Sequence, residues 1–382
     1  MHHLLIHLPI HHKGMYYTMN DDQPTSYKQS GVDAEAASRT VKDISYYIRK
    51  TFELRPMLGK TVLDIGYFAN VIDLGNNLGL AISTDGVGTK ILIAQAMEKY
   101  DTVGIDCVAM NVNDVLCVGA EPLSLVDYIA VEIADPAFIT ELIKGFYAGA
   151  VQANITIPGG EIAQVKELIH GSRDGKAFDL VGTCVGTVPL NRVLTGRDVR
   201  PGDVVVGMRS SGVHSNGFTL ARRVLLQNNS FSLHEPAGKL ERPLGEELLE
   251  PTMIYVKPVI EMLNQKLDIK ALAHITGDGL MNLARVDAEI GFCIDQLPPP
   301  QPIFDLIQTA GDIADQEMYY VFNMGIGFCI VLDAADADKA IEISQKYNIP
   351  ASIIGQATED AQKKVVLPQK TLIGVDGRFF KS

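Results

Sequence analysis

The 382-residue chain has no tryptophan, and its five cysteines (Cys107, Cys117, Cys184, Cys293 and Cys329) form no CxxC pair. Cysteines that are odd in number, widely spaced and mostly inside apolar runs suggest neither a zinc site nor a disulfide framework. Buried, reduced thiols in the cytoplasm are the expectation. Positive charge is scarce too: 33 Lys and Arg against 46 Asp and Glu leave a net charge of −13. That balance argues against a nucleic-acid partner, since phosphate-backbone binding draws on clustered basic residues. It still allows an anionic small substrate, which glycine turns and single basic residues can bind. No apolar stretch reaches the ~18–20 residues of a membrane helix, so no membrane partner is expected. Two phosphate signatures are also missing. A dinucleotide fingerprint would need a third glycine where Ile91 stands. A Walker loop would need one at Leu54, ahead of Gly59-Lys60-Thr61.

What remains is the composition of an ordinary globular protein, 47% apolar and 21% charged, with length for two domains. The opening MHHLLIHLPIHHKGM holds five of the nine histidines, and residues 1–25 read as a disordered leader. The turn-rich stretch Asn191–Asp203 marks a domain boundary, with the alternating FDLVGTCVGTV before it and the apolar VVVGM after it. Residues 136–154 place Phe138, Leu142, Phe146 and Ala150 on one helical face. Near the end, DKAIEISQKYNI reads as a helix and ASIIGQ as a strand. Both halves mix strands and helices without strict alternation, an α+β pattern.

One local theme recurs: an apolar strand, a glycine-bearing polar turn, then a helix. It occurs at STDGVGTKILIAQ, RSSGVHSNGFTLARR and HITGDGLMNLARV. In the first, Asp85 closes a strand and Gly86 and Gly88 let backbone N–H groups approach a ligand. Thr89 and Lys90 follow. The set suits a metal-bound polyphosphate: Asp85 on Mg²⁺, the turn on phosphate oxygens, Lys90 neutralising charge. A tight turn whose Asp only caps the next helix would look the same.

In TVGIDCVAMNVNDVLCVGA, residues Asp106, Asn113 and Asp114 share an arc of roughly 100° on an apolar helix. Burying such groups costs several kcal/mol without a cation or hydrogen bonds, unless the arc faces water. A Mg²⁺ held between Asp85 and Asp114 answers that cost. Glu161 follows a glycine pair and adds a further carboxylate, as a ligand or as a solvated turn residue. His214, among the small polar residues of SSGVHSNGF, suits a general acid or base, a phosphate donor or a plain turn residue. His274 has the same ambiguity. Lys28 precedes Asp33, which is placed to cap the helix AEAASRTVKDISYYI, and can close over phosphates or lie exposed. Asp127 is expected to lie apart from these groups.

The segments SYKQSGVD, STDGVGTK, DCVAMNVNDVLCVGAEPL, GGEIAQ, SSGVHSNGF, HITGDGL and EMYYVFNMGIG, in this order over about residues 26–330, resemble the phosphoribosylformylglycinamidine cyclo-ligase family. The resemblance implies a two-domain α+β fold. Residues 26–195 would bind ATP and pair with a second copy into a barrel-like dimeric sheet. Residues 203–382 would form an α/β layered domain on the substrate and phosphate side. It further implies ATP with Mg²⁺, a nucleotide substrate, and ring closure of formylglycinamidine ribonucleotide with release of ADP and phosphate.

By the same resemblance Asp85, Asp114 and Glu161 would hold Mg²⁺ and nucleotide together with Gly86, Gly88, Thr89 and Asn113. Lys28 and Lys90 would contact phosphates. His214 would assist proton transfer or phosphate binding, and Ser211, Gly212, Ser215 and Asn216 would line the substrate side. Three positions depart from the family pattern: Ile162 for a threonine, Gln164 for an acidic residue and Asp278 for a third glycine. The rival readings are an amidotransferring formylglycinamidine ribonucleotide synthetase, which must import ammonia, and a non-catalytic nucleotide-binding paralogue.

Overall fold

A computed structural model describes residues 34–382. Lys28, Asp33 and the histidine-rich leader lie outside the described residues.

The first unit contains α1 (Ala34–Phe52), β1 (Asn70–Asp73), β2 (Leu78–Gly86), α2 (Ile91–Met97), α3 (Val103–Cys117), β3 (Glu121–Val131), α4 (Pro136–Ala153), β4 (Gly160–Gln164) and β5 (Phe178–Pro189). Its strands lie in the order β1-β2-β5-β3-β4. All neighbours are antiparallel except β3 and β4. The sheet is open, with β1 and β4 as its edges, so no closed barrel exists among the described residues of this chain.

Strict alternation along β5 gives the sheet two unlike faces. Leu180, Cys184 and Val188 are buried in the core with α3 and α4 residues such as Val108, Val112, Leu142 and Phe146. The opposite face carries Leu78, Val126 and Tyr128, each more than two-fifths exposed. Helix α4 starts where Asp135 accepts the N–H groups of Ala137 and Phe138, with Pro136 at the first position. Its predicted apolar face, Phe138, Leu142, Phe146 and Ala150, is the buried one.

The second unit begins at β6 (Val204–Arg209), followed by α5 (Phe218–Arg222), α6 (Leu244–Leu248), α7 (Val256–Asn264), β7 (Ile269–His274), β8 (Gly291–Cys293), α8 (Pro302–Gly311), α9 (Asp315–Val321), β9 (Ile326–Leu332), α10 (Ala337–Lys346), β10 (Ala351–Thr358), β11 (Val365–Leu367), β12 (Leu372–Val375) and β13 (Arg378–Lys381). These strands form one mixed sheet in the order β13-β12-β11-β8-β10-β6-β9-β7. Strand β9, with all seven residues buried, lies between β6 and the edge strand β7. The predicted late helix and strand are α10 and β10. The five cysteines are free thiols. No helix among the described residues is long and apolar enough to cross a membrane.

The two units share a core. Val87 after β2, Val108 of α3, and Phe218 and Leu244 of the second unit belong to one buried apolar cluster. The polar groups of interest line this seam.

Candidate active site

Strand β2 delivers Asp85 and Gly86 at its end, and a 3₁₀ turn, Gly88–Lys90, leads into α2. The strand, turn and helix are therefore those read from the sequence. Asn111 of α3 holds the strand end in place: its Oδ1 accepts the Asp85 N–H (2.9 Å) and its Nδ2 donates to the Asp85 carbonyl (3.1 Å). This approach depends on Gly182 of β5, where a Cβ would lie 2.7 Å from Asn111 Nδ2. The Asp85 carboxylate accepts the Gly86 N–H at 2.7 Å. Burial, reinforced by the charge of Asp114, pushes the Asp85 carboxyl up to about 6.

Asp114 of α3 also faces the second unit. His274, fully buried at the end of β7, lies 2.9 Å through Nδ1 from Asp114 Oδ1. Asn113 reaches the same ring at 3.4 Å. The roles that satisfy both neighbours are Nδ1–H donating to Asp114 and Nε2 accepting from Asn113. Asn113 is otherwise committed to backbone: Nδ2 donates to the Met253 carbonyl (2.9 Å) and Oδ1 accepts the Tyr255 N–H (3.1 Å).

Asp106 and Lys90 are placed differently from the expectation. Both side chains are completely buried, and Lys90 Nζ lies 2.9 Å from Asp106 Oδ1. The ammonium also donates to the Glu250 carbonyl at 2.6 Å. The cation that Asp106 requires is thus the chain's own lysine, and Lys90 points inward instead of offering its charge to a phosphate. Asp106 Oδ1 further accepts the Thr252 N–H and Oγ1–H, both at 2.7 Å, and the Ser215 hydroxyl at 3.3 Å.

The loop after β6 places His214 in the left-handed region at φ 65° and buries it. Its ring packs on the backbone of Gly327, where a Cβ would sit 2.5 Å from Cε1. Nε2 accepts the N–H groups of Ser211 (3.2 Å) and Met253 (3.4 Å), so Nδ1 carries the proton, buried and without a partner among the described residues. Burial, then the nearby His274 and Lys90, hold the His214 imidazole well below its ordinary range. Nε2 is therefore engaged as an acceptor, which leaves Nδ1–H as the ring's available donor.

Ser211 donates its hydroxyl to the Pro251 carbonyl (2.5 Å). The Gly212 carbonyl accepts from Asn323 (2.9 Å). Asn216 is half-buried, its Nδ2 facing Gly277 of the third glycine turn. The first turn and this loop meet where Thr89 Oγ1 lies 3.1 Å from Thr219 Oγ1.

Cross-strand register sorts the remaining carboxylates. Asp85, Gly182, Asp127 and Gly160 form one row, so Asp127 shares a sheet face with Asp85, two strands away. Glu161 pairs with Tyr128 in the next row and faces the bare side, away from Asp85. Within this chain the sheet separates Glu161 from the Asp85–Asp114 pair.

Among the described residues no group of three or more His, Cys, Asp or Glu side chains is arranged to hold a metal alone. Asp85 and Asp114, close enough for the charge of Asp114 to act on Asp85, still form a fitting hard-oxygen donor set for Mg²⁺, which commonly takes one or two carboxylates and completes its shell with phosphate and water. Sequence reasoning missed Asn111, Glu250 and Thr252. Asn111 lies on α3 between the residues that were singled out, and position alone could have flagged it. Nothing in EPTMIY marks the other two.

Family models match both units: the AIR synthase related protein N-terminal domain over residues 66–188, and the corresponding C-terminal domain over residues 200–368. The phosphoribosylformylglycinamidine cyclo-ligase of Methanobrevibacter smithii is 44% identical over 88% of this chain and 95% of its own length. That of Pyrococcus furiosus is 46% identical over 84% of this chain and 92% of its own. The chain belongs to the phosphoribosylformylglycinamidine cyclo-ligase family.

Solved structures agree at the level of fold. Thiamine-monophosphate kinase of Stenotrophomonas maltophilia aligns with TM-score 0.55 at 19% identity, over 86% of this chain and 95% of its own. T. maritima PurL complexed with ATP aligns with TM-score 0.51 at 17% identity, over 78% of this chain and 44% of its own. Of the departures from the cyclo-ligase family pattern, Ile162 and Gln164 lie exposed on edge strand β4. Asp278 sits at φ 71° with its carboxylate 3.3 Å from Arg285.

Proposed function

We propose that this chain is a cytoplasmic, homodimeric ATP-dependent cyclo-ligase that closes formylglycinamidine ribonucleotide to aminoimidazole ribonucleotide, releasing ADP and phosphate. The named relatives support the reaction. The observation that carries the reading to this chain is the meeting of the nucleotide turn with the Ser210–Gly217 loop at Thr89 and Thr219, 3.1 Å apart. It gives a phosphoryl donor and an acceptor adjoining places to bind.

An amide oxygen is a poor leaving group, so ring closure needs it activated. The substrate's formamide oxygen attacks the γ-phosphorus of ATP and ADP departs. The amidine nitrogen then attacks the same carbon, phosphate leaves and the nitrogen loses a proton. Such chemistry rests on positioning and charge neutralisation. Asp85 and Asp114 would hold Mg²⁺, which when bound neutralises phosphate oxygens. The N–H groups of the turn that follows Gly86, whose own N–H is taken by Asp85, would cradle phosphate, and Asn111 keeps that turn in position. Gly212 and Asn216 line the substrate side, and the Nδ1–H of His214 is a donor toward it. The exposed face with Leu78, Val126 and Tyr128 is the surface a second copy would cover, and Glu161 lies on it. Lys28 would contact phosphates from the N-terminal segment.

Purified protein given formylglycinamidine ribonucleotide and MgATP, without glutamine or ammonia, is expected to form one ADP per aminoimidazole ribonucleotide. Product only from formylglycinamide ribonucleotide plus ammonia would instead make it the amidotransferring enzyme.

A further inference from the structure

The mechanism above leaves unused the most heavily bonded ion pair in the seam. Lys90 ends the nucleotide turn, Asp106 lies on α3, and the groups they hold belong to the second unit: Glu250, Thr252 and Ser215. We propose that Lys90 and Asp106 are positioning residues that couple the nucleotide turn to the substrate loop. The proposal rests on the cyclo-ligase reading.

The path is short. Lys90 directly follows Thr89, so movement of the turn moves its ammonium. That ammonium bonds Asp106 Oδ1, which in turn takes the hydroxyl of Ser215, the residue after His214. A second arm runs from Asp106 through Thr252 to Met253, whose N–H is one of the two donors to His214 Nε2. Both arms end on one loop.

A purely structural pair would be expected to be finished. Buried ion pairs stabilise little over apolar replacements of similar volume, and a network kept only for folding should satisfy all its members. This one does not. All the donors to Asp106 converge on Oδ1, while Oδ2 is buried and unpartnered among the described residues, as is His214 Nδ1. Two unmet groups in the same network, one at its hub and one on the loop, mark an arrangement that rests incomplete until the loop is engaged.

The test compares wild type with the double variant Lys90→Met/Asp106→Leu, which removes both charges together and so avoids leaving one buried alone. Binding of a non-hydrolysable MgATP analogue should stay within about twofold. The KM for formylglycinamidine ribonucleotide should rise at least about tenfold, with ADP released in excess of product. Hydrogen exchange gives a readout independent of the substrate: the analogue should protect amides of residues 210–217 in wild type and not in the double variant.

Unchanged kinetics and unchanged protection would reduce the pair to packing. A selective loss of analogue affinity would return Lys90 to phosphate binding. If the double variant does not fold, Ser215→Ala removes one arm alone and should raise the substrate KM about threefold or more at unchanged melting temperature. An unchanged KM there overturns the proposal. Wild type that turns over no substrate refutes the cyclo-ligase reading, while the exchange arm still decides the coupling.

Discussion

The two ends of helix α3 carry carboxylates of similar origin and opposite fate. Near its start, Asp106 is fully buried, with an ammonium and three hydrogen-bond donors on one oxygen. Near its end, Asp114 meets His274 on one side and the like charge of Asp85 on the other. The first carboxylate has its cation built into the chain. At the second pair burial first, and then the like charge of Asp114, push Asp85 up to about 6. A folded protein tolerates uncompensated charge where something outside the chain completes it. The contrast supports the proposal that an external cation would sit at Asp85 and Asp114, away from Asp106 and Lys90.

The largest effects should come from exchanging one carboxylate for an amide at each end. Asp106→Asn strands the buried Lys90 and should cost roughly 3–5 kcal/mol in denaturant unfolding. Asp85→Asn relieves repulsion and should cost nothing at pH 7, even as cyclisation falls by about 10²-fold or more. Equal stability losses in the two variants would erase the distinction between the ends. A smaller change sharpens it: Thr252→Val removes one hydroxyl from Asp106 while keeping the backbone donor. It should cost about 1–3 kcal/mol, read from the unfolding midpoint at unchanged slope.

Much of this was legible locally. The strand, turn and helix around Asp85 follow from an apolar run, two glycines and a helical pattern, all within twenty residues of sequence. The polar arc on α3 was equally visible, as was the rule that it needs a cation or hydrogen bonds. Which cation was not visible, because Lys90 and Asp106 meet through tertiary packing and no spacing rule connects them to Glu250 and Thr252. Lys90 follows a glycine turn and so reads as a phosphate ligand; only the burial of its ammonium assigns it elsewhere. The facing of Glu161 was not visible either. Its glycine pair is real, but register on β4 turns it to the bare face of the sheet. His214 reads as a general acid or base, a phosphate donor or a plain turn residue, and nothing in its sequence context signals that its left-handed backbone and close fit against Gly327 bury it.

Stability against pH, with and without Mg²⁺, tests the central claim most directly. Because the folded Asp85 carboxyl binds its proton more tightly than the unfolded one, its stabilising contribution is complete below about pH 4. It is lost as pH rises to about 6. Wild type in chelator should therefore lose up to about 3 kcal/mol across that window, and Asp85→Asn should not. Saturating Mg²⁺ at pH 7 should restore much of the difference in wild type and do nothing for Asp85→Asn. Parallel pH profiles for the two proteins, or equal stabilisation of both by Mg²⁺, would contradict the account.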